Sequence, residues 1–272
     1  MLYTVLLALC FGILEGITEW LPISSTGHLI LLRHFLPVTL SDDFFELFEV
    51  VIQLGAMCAV VLLFFDTLWP FGRQKTATEH RGTLSLWGKI FVATLPAAIL
   101  GLLFDDIINK TLFNPQTVAV SLILYGILFL LIERRDRTPR TTDVADITYK
   151  NALAIGLFQV LALIPGTSRS GATILGALCL GISRPVSALF SFFLGFPTML
   201  GAGGLKIIKF ILSGARPTGT EVLILTLGTL CAFLVSLAVL RFLCDFVRRH
   251  TFRAFGIYRI ALGIAVLLTL LL

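Results

Sequence analysis

Two stretches of this chain set polar and ionisable side chains into otherwise apolar sequence. The first carries Glu15, Thr18, Glu19, Ser24, Ser25, Thr26, Gly27 and His28, interrupted by Pro22. Glu15 and Glu19 are four apart, so on a helix they share a face and repel each other unless a cation lies beside them. A divalent metal would relieve that repulsion; a hydrogen-bonded structural pair is the plainer alternative. Ser24, Ser25, Thr26 and Gly27 offer hydroxyls and free backbone N–H groups where a helix is expected to start, with His28 close by. Such a terminus can bind phosphate or simply be an N-cap. The second stretch holds Ser168, Arg169, Ser170, Gly171 and Thr173. A guanidinium is a planar fork that matches phosphate oxygens, and between apolar helices it needs an anionic partner. An ion pair between Arg169 and a glutamate would supply one, but would leave Ser25, His28, Ser168 and Ser170 unexplained. A hydroxyl nucleophile, acids for a metal and an Arg clamp are the inventory of phosphoryl transfer, where catalysis is mainly positioning and charge neutralisation. Glu49 and Gln53, again four apart, either extend this polar site or hydrogen-bond nearby backbone.

These groups must be positioned by elements that live in lipid. The chain has 272 residues, 57% of them hydrophobic and only 14% charged, whereas charged residues make up about a quarter of a soluble domain. Its apolar runs are apolar on every face, unlike the alternating strands of a membrane barrel. The expectation is therefore an all-α polytopic membrane protein, a single domain over residues 1–272. Six runs can span: 48–65, 87–104, 118–132, 186–212, 222–243 and 254–272. The net charge of +5 sits in loops rather than in one patch, which argues against a nucleic-acid partner. Basic residues gather at Arg73, Lys75, Arg81 and Lys89, at Arg134, Arg135, Arg137, Arg140 and Lys150, and at Arg241, Arg248, Arg249 and Arg253. The positive-inside rule makes those three regions cytoplasmic and puts 37–46, 105–115 and 213–220 outside. The five cysteines mostly fall in apolar runs without paired spacing and read as small hydrophobes. Residues 2–14 lack a basic leader and a small-residue cleavage pattern, so they are expected to stay in the mature chain.

By charge counting, the chain before residue 48 either begins and ends on one side or places its amino terminus inside; the short segments 2–14 and 21–36 read best as a re-entrant hairpin entering from outside, and 152–165 with 172–182 as a second one entering from inside. Each half, 1–135 and 150–272 joined by a cytoplasmic loop, is one hairpin followed by three spans, which inverts the second half relative to the first. Leu21-Pro22 before Ser24 to Gly27 is echoed by Ile164-Pro165 before Thr167 to Gly171, with a one-residue gap. Gln159 and Ala162 stand near the positions of the first copy's acids. Broken helices at membrane depth survive only when buried or lining a wet cavity, so both breaks are expected to meet at the functional site. Pro96, Gly101, Pro197, Gly201, Gly203 and Gly204 read as kinks and close-packing surfaces.

Three blocks in order resemble one family: Glu15-Gly16-Ile17-Thr18-Glu19-Trp20-Leu21-Pro22-Ile23-Ser24-Ser25-Thr26-Gly27-His28, then Phe48-Glu49-Val50-Val51-Ile52-Gln53-Leu54-Gly55, then Pro165-Gly166-Thr167-Ser168-Arg169-Ser170-Gly171-Ala172-Thr173. The chain resembles the bacterial undecaprenyl-diphosphatases, or bacitracin-resistance proteins, over nearly its whole length. The resemblance implies hydrolysis of undecaprenyl diphosphate, a long-chain polyprenyl diphosphate, to undecaprenyl phosphate and inorganic phosphate. It implies dependence on Mg²⁺ or Ca²⁺, a site on the outer side of the bacterial cytoplasmic membrane, and recycling of the lipid carrier for cell-wall glycans, hence bacitracin resistance. In that reading Ser25, Glu19, His28 and Arg169 are catalytic, and Glu15 and Glu19 hold the metal. Ser24, Thr26, Gly27, Ser168, Ser170, Gly171 and Thr173 bind phosphate, with Glu49 and Gln53 behind them. Ser25 would attack the terminal phosphorus with Glu19 or His28 as base; a metal-activated water acting directly is the alternative. A homodimer is one assembly left open, and a lipid-phosphate flippase built on the same inverted repeat is the rival function.

Overall fold

Capping chemistry, rather than the edges of the apolar runs, sets where the helices begin. Thr76 and Glu79 form a reciprocal capping box (Glu79 N–H to Thr76 Oγ1 3.3 Å, Thr76 N–H to Glu79 Oε2 2.7 Å), so the helix expected at 87–104 starts at Ala77. Thr218 and Glu221 repeat the device and start another at Gly219. Asn114 Oδ1 accepts from Thr117 N–H (2.8 Å) ahead of Pro115, which takes the first helical position, where its missing N–H costs nothing.

The computed structural model describes residues 2–36, 40–72, 75–134 and 138–270. Their helices in chain order are α1 (Leu2–Thr18), α2 (Ser25–Phe35), α3 (Asp42–Leu63), α4 (Phe65–Leu68), α5 (Ala77–Thr111), α6 (Pro115–Ile132), α7 (Tyr149–Val160), α8 (Arg169–Cys179), α9 (Arg184–Leu212), α10 (Gly219–Arg249) and α11 (Arg253–Thr269). Among the described residues, β-pairing is confined to one isolated bridge between Thr141 and Ile182. Five helices carry segments long and apolar enough to cross a membrane: Asp43–Leu63, Ala77–Phe104, Pro115–Ile132, Arg184–Leu212 and Gly219–Arg249. The sixth expected span coincides with α11, whose 17 residues rise about 26 Å; residues 271 and 272 lie outside the described chain. So do Arg73, Arg135, Arg137 and residues 37–39 of an expected outer connection. Arg81 and Lys89 are on α5 rather than in a loop, and α5 continues through the connection expected to begin at 105. Lys89 is buried and donates to Ala145 O (2.7 Å).

Lipid tails are as apolar as leucine, so packing between these helices depends on close approach of small residues. A Cβ on Gly12 of α1 would sit 2.6 Å from Gly228 O of α10, and one on Gly156 of α7 would sit 2.4 Å from Ala93 O of α5. Across the two halves of the chain α1 packs on α10 and α7 on α5; α2 touches α11 as well as α1 and α6, and α8 touches α6 while packing chiefly on α7 and α9. Gly126 of α6 meets Gly256 of α11 backbone to backbone. Pro96 and Pro197 lie inside α5 and α9, as read from the sequence. Gly203 makes room for Val50 and Leu54, but Gly201 and Gly204 have nothing within 4 Å, so those two are not packing surfaces.

Candidate active site

Both polar stretches fold as helix, break, helix. A residue before proline is driven out of the α region, so Leu21-Pro22 and Ile164-Pro165 each end the preceding helical path. The chain recovers through one left-handed residue: Ser24 (φ 72°) and Ser168 (φ 70°) are the only non-glycine residues with positive φ among those described. Each costs about 1–3 kcal/mol and persists only where the surroundings over-determine it. Each immediately precedes the second helix of its stretch. With Ser24 matched to Ser168, Ser25 corresponds to Arg169, Thr26 to Ser170 and Gly27 to Gly171. Ser25 and Arg169 are therefore the first residues of α2 and α8.

The two breaks are bonded to each other. Arg169, 7% exposed, donates from Nη2 to Glu19 Oε1 (3.1 Å) and from Nη1 to Ser191 O (2.7 Å), with Nε at 3.4 Å from the same carboxylate oxygen. The ion pair is buried on both sides. Ser170 Oγ donates to the carbonyls of Glu19 (3.3 Å) and Leu21 (3.2 Å), and Thr173 Oγ1 donates back to Arg169 O (3.0 Å) while meeting Ser191 Oγ at 2.7 Å. Ser168 Oγ caps α8 by accepting from Gly171 N–H (3.1 Å) and also lies 3.1 Å from Ser170 Oγ. The first break is not capped in this way. Ser24 makes no side-chain cap, and its buried Oγ has no partner among the described residues. Ser25 and Thr26 are half-buried, Gly27 is buried against Leu122 and Leu262, and no hydrogen bond among the described residues occupies the Ser25 hydroxyl. The first turn of α2 thus keeps free N–H groups and hydroxyls together.

His28 has both ring nitrogens engaged, Nδ1 at 2.7 Å from Ser24 O and Nε2 at 2.7 Å from the Tyr258 hydroxyl. A carbonyl can only accept, so Nδ1 carries the proton; in the neutral ring the lone pair is then on Nε2, with Tyr258 as its donor. Glu15 is 2% exposed, and its Oε1 has no partner among the described residues. Its electrostatic neighbours are Glu19, Glu49 and Gln53. Among the described residues no three His, Cys, Asp or Glu side chains gather closely enough to hold a metal by themselves. An all-oxygen set of two carboxylates, one with an unpartnered buried oxygen, suits a hard cation whose remaining ligands are substrate oxygens and water. The five cysteines are free thiols.

Four side chains or positions at this site had no place in the sequence reading. Tyr258 closes on His28, and Ser191 braces Arg169 and Thr173. Gly195 leaves the space the guanidinium fills, since a Cβ there would lie 2.6 Å from Arg169 Cζ, Nη1 and Nη2. Arg259, fully buried, donates to Pro22 O (3.1 Å) of one break and to Gly166 O (2.8 Å) and Thr167 O (2.9 Å) of the other. Only Arg259 carried a sequence signal, as a cation inside an apolar run.

The sequence profile described as "Bacitracin resistance protein BacA" matches residues 8–265 of this arrangement. The chain belongs to that family. Its similarity to individual proteins is as broad: 53% identity over 258 residues to an undecaprenyl-diphosphatase of Enterococcus faecalis, covering 94% of each chain. It is 54% identical to one from Lachnoclostridium phytofermentans (93% of this chain, 92% of the relative) and 53% identical to one from Streptococcus mutans (97% and 95%). A family of bacitracin-resistance proteins and relatives named as diphosphatases favour hydrolysis over a flippase.

Proposed function

We propose that the chain is a multi-pass membrane phosphatase that hydrolyses undecaprenyl diphosphate to undecaprenyl phosphate and inorganic phosphate, and so recycles the lipid carrier and confers bacitracin resistance. One observation carries the reading: the buried Arg169–Glu19 pair joins the two breaks, while the Ser25 hydroxyl stands unbonded among the described residues at the helix start equivalent to Arg169.

In this reading the terminal phosphate lies across the starts of α2 and α8. The N–H groups around Thr26 and Gly27 and the Ser24 hydroxyl donate to its oxygens, and Arg169 neutralises the developing charge. Ser25 Oγ forms a bond to phosphorus as the bridging P–O bond breaks, and undecaprenyl phosphate leaves; water then cleaves the phosphoserine to give inorganic phosphate and restore Ser25. The Ser25 proton passes to Glu19 or to His28 Nε2, the latter by exchanging its bond from Tyr258. Ser170 and Thr173, whose hydroxyls are committed to Glu19 O, Leu21 O, Arg169 O and Ser191, hold the clamp in shape. Glu15 and Glu19 would hold Mg²⁺ or Ca²⁺ together with phosphate oxygens, with Glu49 and Gln53 behind them; such a cation supplies further charge neutralisation.

The matched packing of α1 on α10 and of α7 on α5, with the paired left-handed serines, supports two inverted halves, 1–135 and 150–272, each a re-entrant hairpin followed by three spans. Basic Arg140, Arg184, Arg248 and Arg253 belong with the ends of α6, α8 and α10, which supports a cytoplasmic side there and an outward-facing site in the bacterial inner membrane. The test is release of inorganic phosphate from a C55 prenyl diphosphate by the purified protein in detergent, with and without chelator. Metal-dependent release at enzymatic rates is expected. No release from folded, metal-supplied protein would overturn the reading, and transbilayer movement of the intact lipid in proteoliposomes would then favour a flippase.

A further inference from the structure

Arg259 lies in α11, in sequence 90 or more residues from either break that it touches. It is 0% exposed, and among the described residues no carboxylate pairs with it. A guanidinium is always charged, so this is a buried cation compensated only by carbonyl dipoles and by the Tyr125 ring, 5.5 Å from Cζ. Its Nε has no hydrogen-bond partner among the described residues. Burying an unpaired cation in a membrane bundle is costly, and a simple packing role would be served better by an apolar side chain.

What the fork reaches explains the expense. Nη1 holds the carbonyl of Pro22, just upstream of Ser24. Nη2 holds the carbonyls of Gly166 and Thr167, just upstream of Ser168. Both left-handed serines are thus tied at their entry to a single rigid group, and Nη1 would stand 3.1 Å from a Cβ on Gly171 in the first turn of α8. We propose that Arg259 is a positioning residue for the phosphatase reaction: its fork fixes the two breaks in register, so that Ser25 and Arg169 begin their helices at the separation that one phosphate group bridges. This rests on the phosphatase reading above. A lysine keeps the charge but has no planar fork to hold both breaks at once.

The experiment measures kcat and KM for phosphate release from a C55 prenyl diphosphate by purified wild type, Arg259→Met and Arg259→Lys. Each rate is referred to the monodisperse, cooperatively unfolding fraction in detergent. In the folded Met variant kcat is expected to fall about a hundredfold, the cost of roughly 1 Å of misplacement, with KM within about threefold; the Lys variant falls between it and wild type. A Met variant that unfolds at lower temperature but turns over normally per folded molecule would overturn the inference. So would a loss confined to KM, full activity in the Lys variant, which would assign the role to charge alone, or failure of both variants to fold, which would make Arg259 a folding determinant. If wild type itself releases no phosphate, the phosphatase reading falls and this inference with it; an active wild type beside an unimpaired Met variant removes the inference alone.

Discussion

Replacing Gly195 by alanine adds one methyl group at the point where the structure leaves none to spare. The new Cβ would lie 2.6 Å from Arg169 Cζ and from both terminal nitrogens, whereas ordinary contact begins near 3.4 Å. All three atoms are in the same plane and all must retreat, so the guanidinium shifts by about 0.8–1 Å. A shift of that size would carry Nη1 out of hydrogen-bond range of Ser191 O, now at 2.7 Å, or pull Nη2 from Glu19 Oε1, now at 3.1 Å. Misplacing a catalytic group by about 1 Å costs roughly 100-fold in rate, and losing its donors outright about 10²–10³-fold. Gly195→Ala should therefore lower kcat for phosphate release by about two orders of magnitude. The overpacking should also lower stability by about 1–3 kcal/mol. Gly201→Ala and Gly204→Ala, on the same helix with open space around each, are the controls and should leave kcat unchanged. A Gly195→Ala enzyme that turns over within about threefold of wild type would refute the assignment of Arg169's position to catalysis.

Ser25→Ala should lower kcat by about 10³-fold or more if the serine is the nucleophile; fast residual turnover would transfer the attack to water. Glu15→Gln should raise the Mg²⁺ or Ca²⁺ concentration needed for half-maximal activity by roughly tenfold or more, because site charge sets affinity for hard cations; a metal titration unchanged in the variant would remove Glu15 from the binding set. Glu133 is buried and accepts from Arg184 (Nε 2.9 Å, Nη2 2.5 Å) and from Phe252 N–H (3.0 Å). Glu133→Ala should cost about 1–3 kcal/mol, most of it from the orphaned backbone N–H since Arg184 is partly exposed. Thermal unfolding should shift down while kcat and KM of the folded enzyme stay put.

The sequence alone exposed the two breaks because proline and clustered polar groups have no cheap place in an apolar helix, and it paired Arg169 with the glutamates because a buried cation needs an anion. The ion pair that stood as the plainer alternative in the sequence does not use up the polar groups around it: Glu19 binds Arg169, while the Ser25 hydroxyl has no hydrogen bond among the described residues. The helix ends were misplaced where a capping pair outside the apolar run, Thr76 with Glu79, decides the start. Gly195 was illegible because its contribution is an absence, sensible only once α8 and α9 are packed. Tyr258 and Ser191 are ordinary residues for their helices, and only tertiary contact with His28 and Arg169 distinguishes them. The one-residue gap in the internal echo conceals that Ser25 and Arg169 are equivalent positions; the matching φ angles of Ser24 and Ser168 reveal it.

That two breaks from opposite halves of the chain act as one catalytic unit is most directly tested by a double-mutant cycle on kcat with Ser25→Ala, Arg169→Ala and the combined variant. Groups that act as a unit are strongly non-additive, so the double variant should be within about tenfold of the slower single variant. A double variant slowed by the full product of the two single losses would show independent contributions and contradict the account.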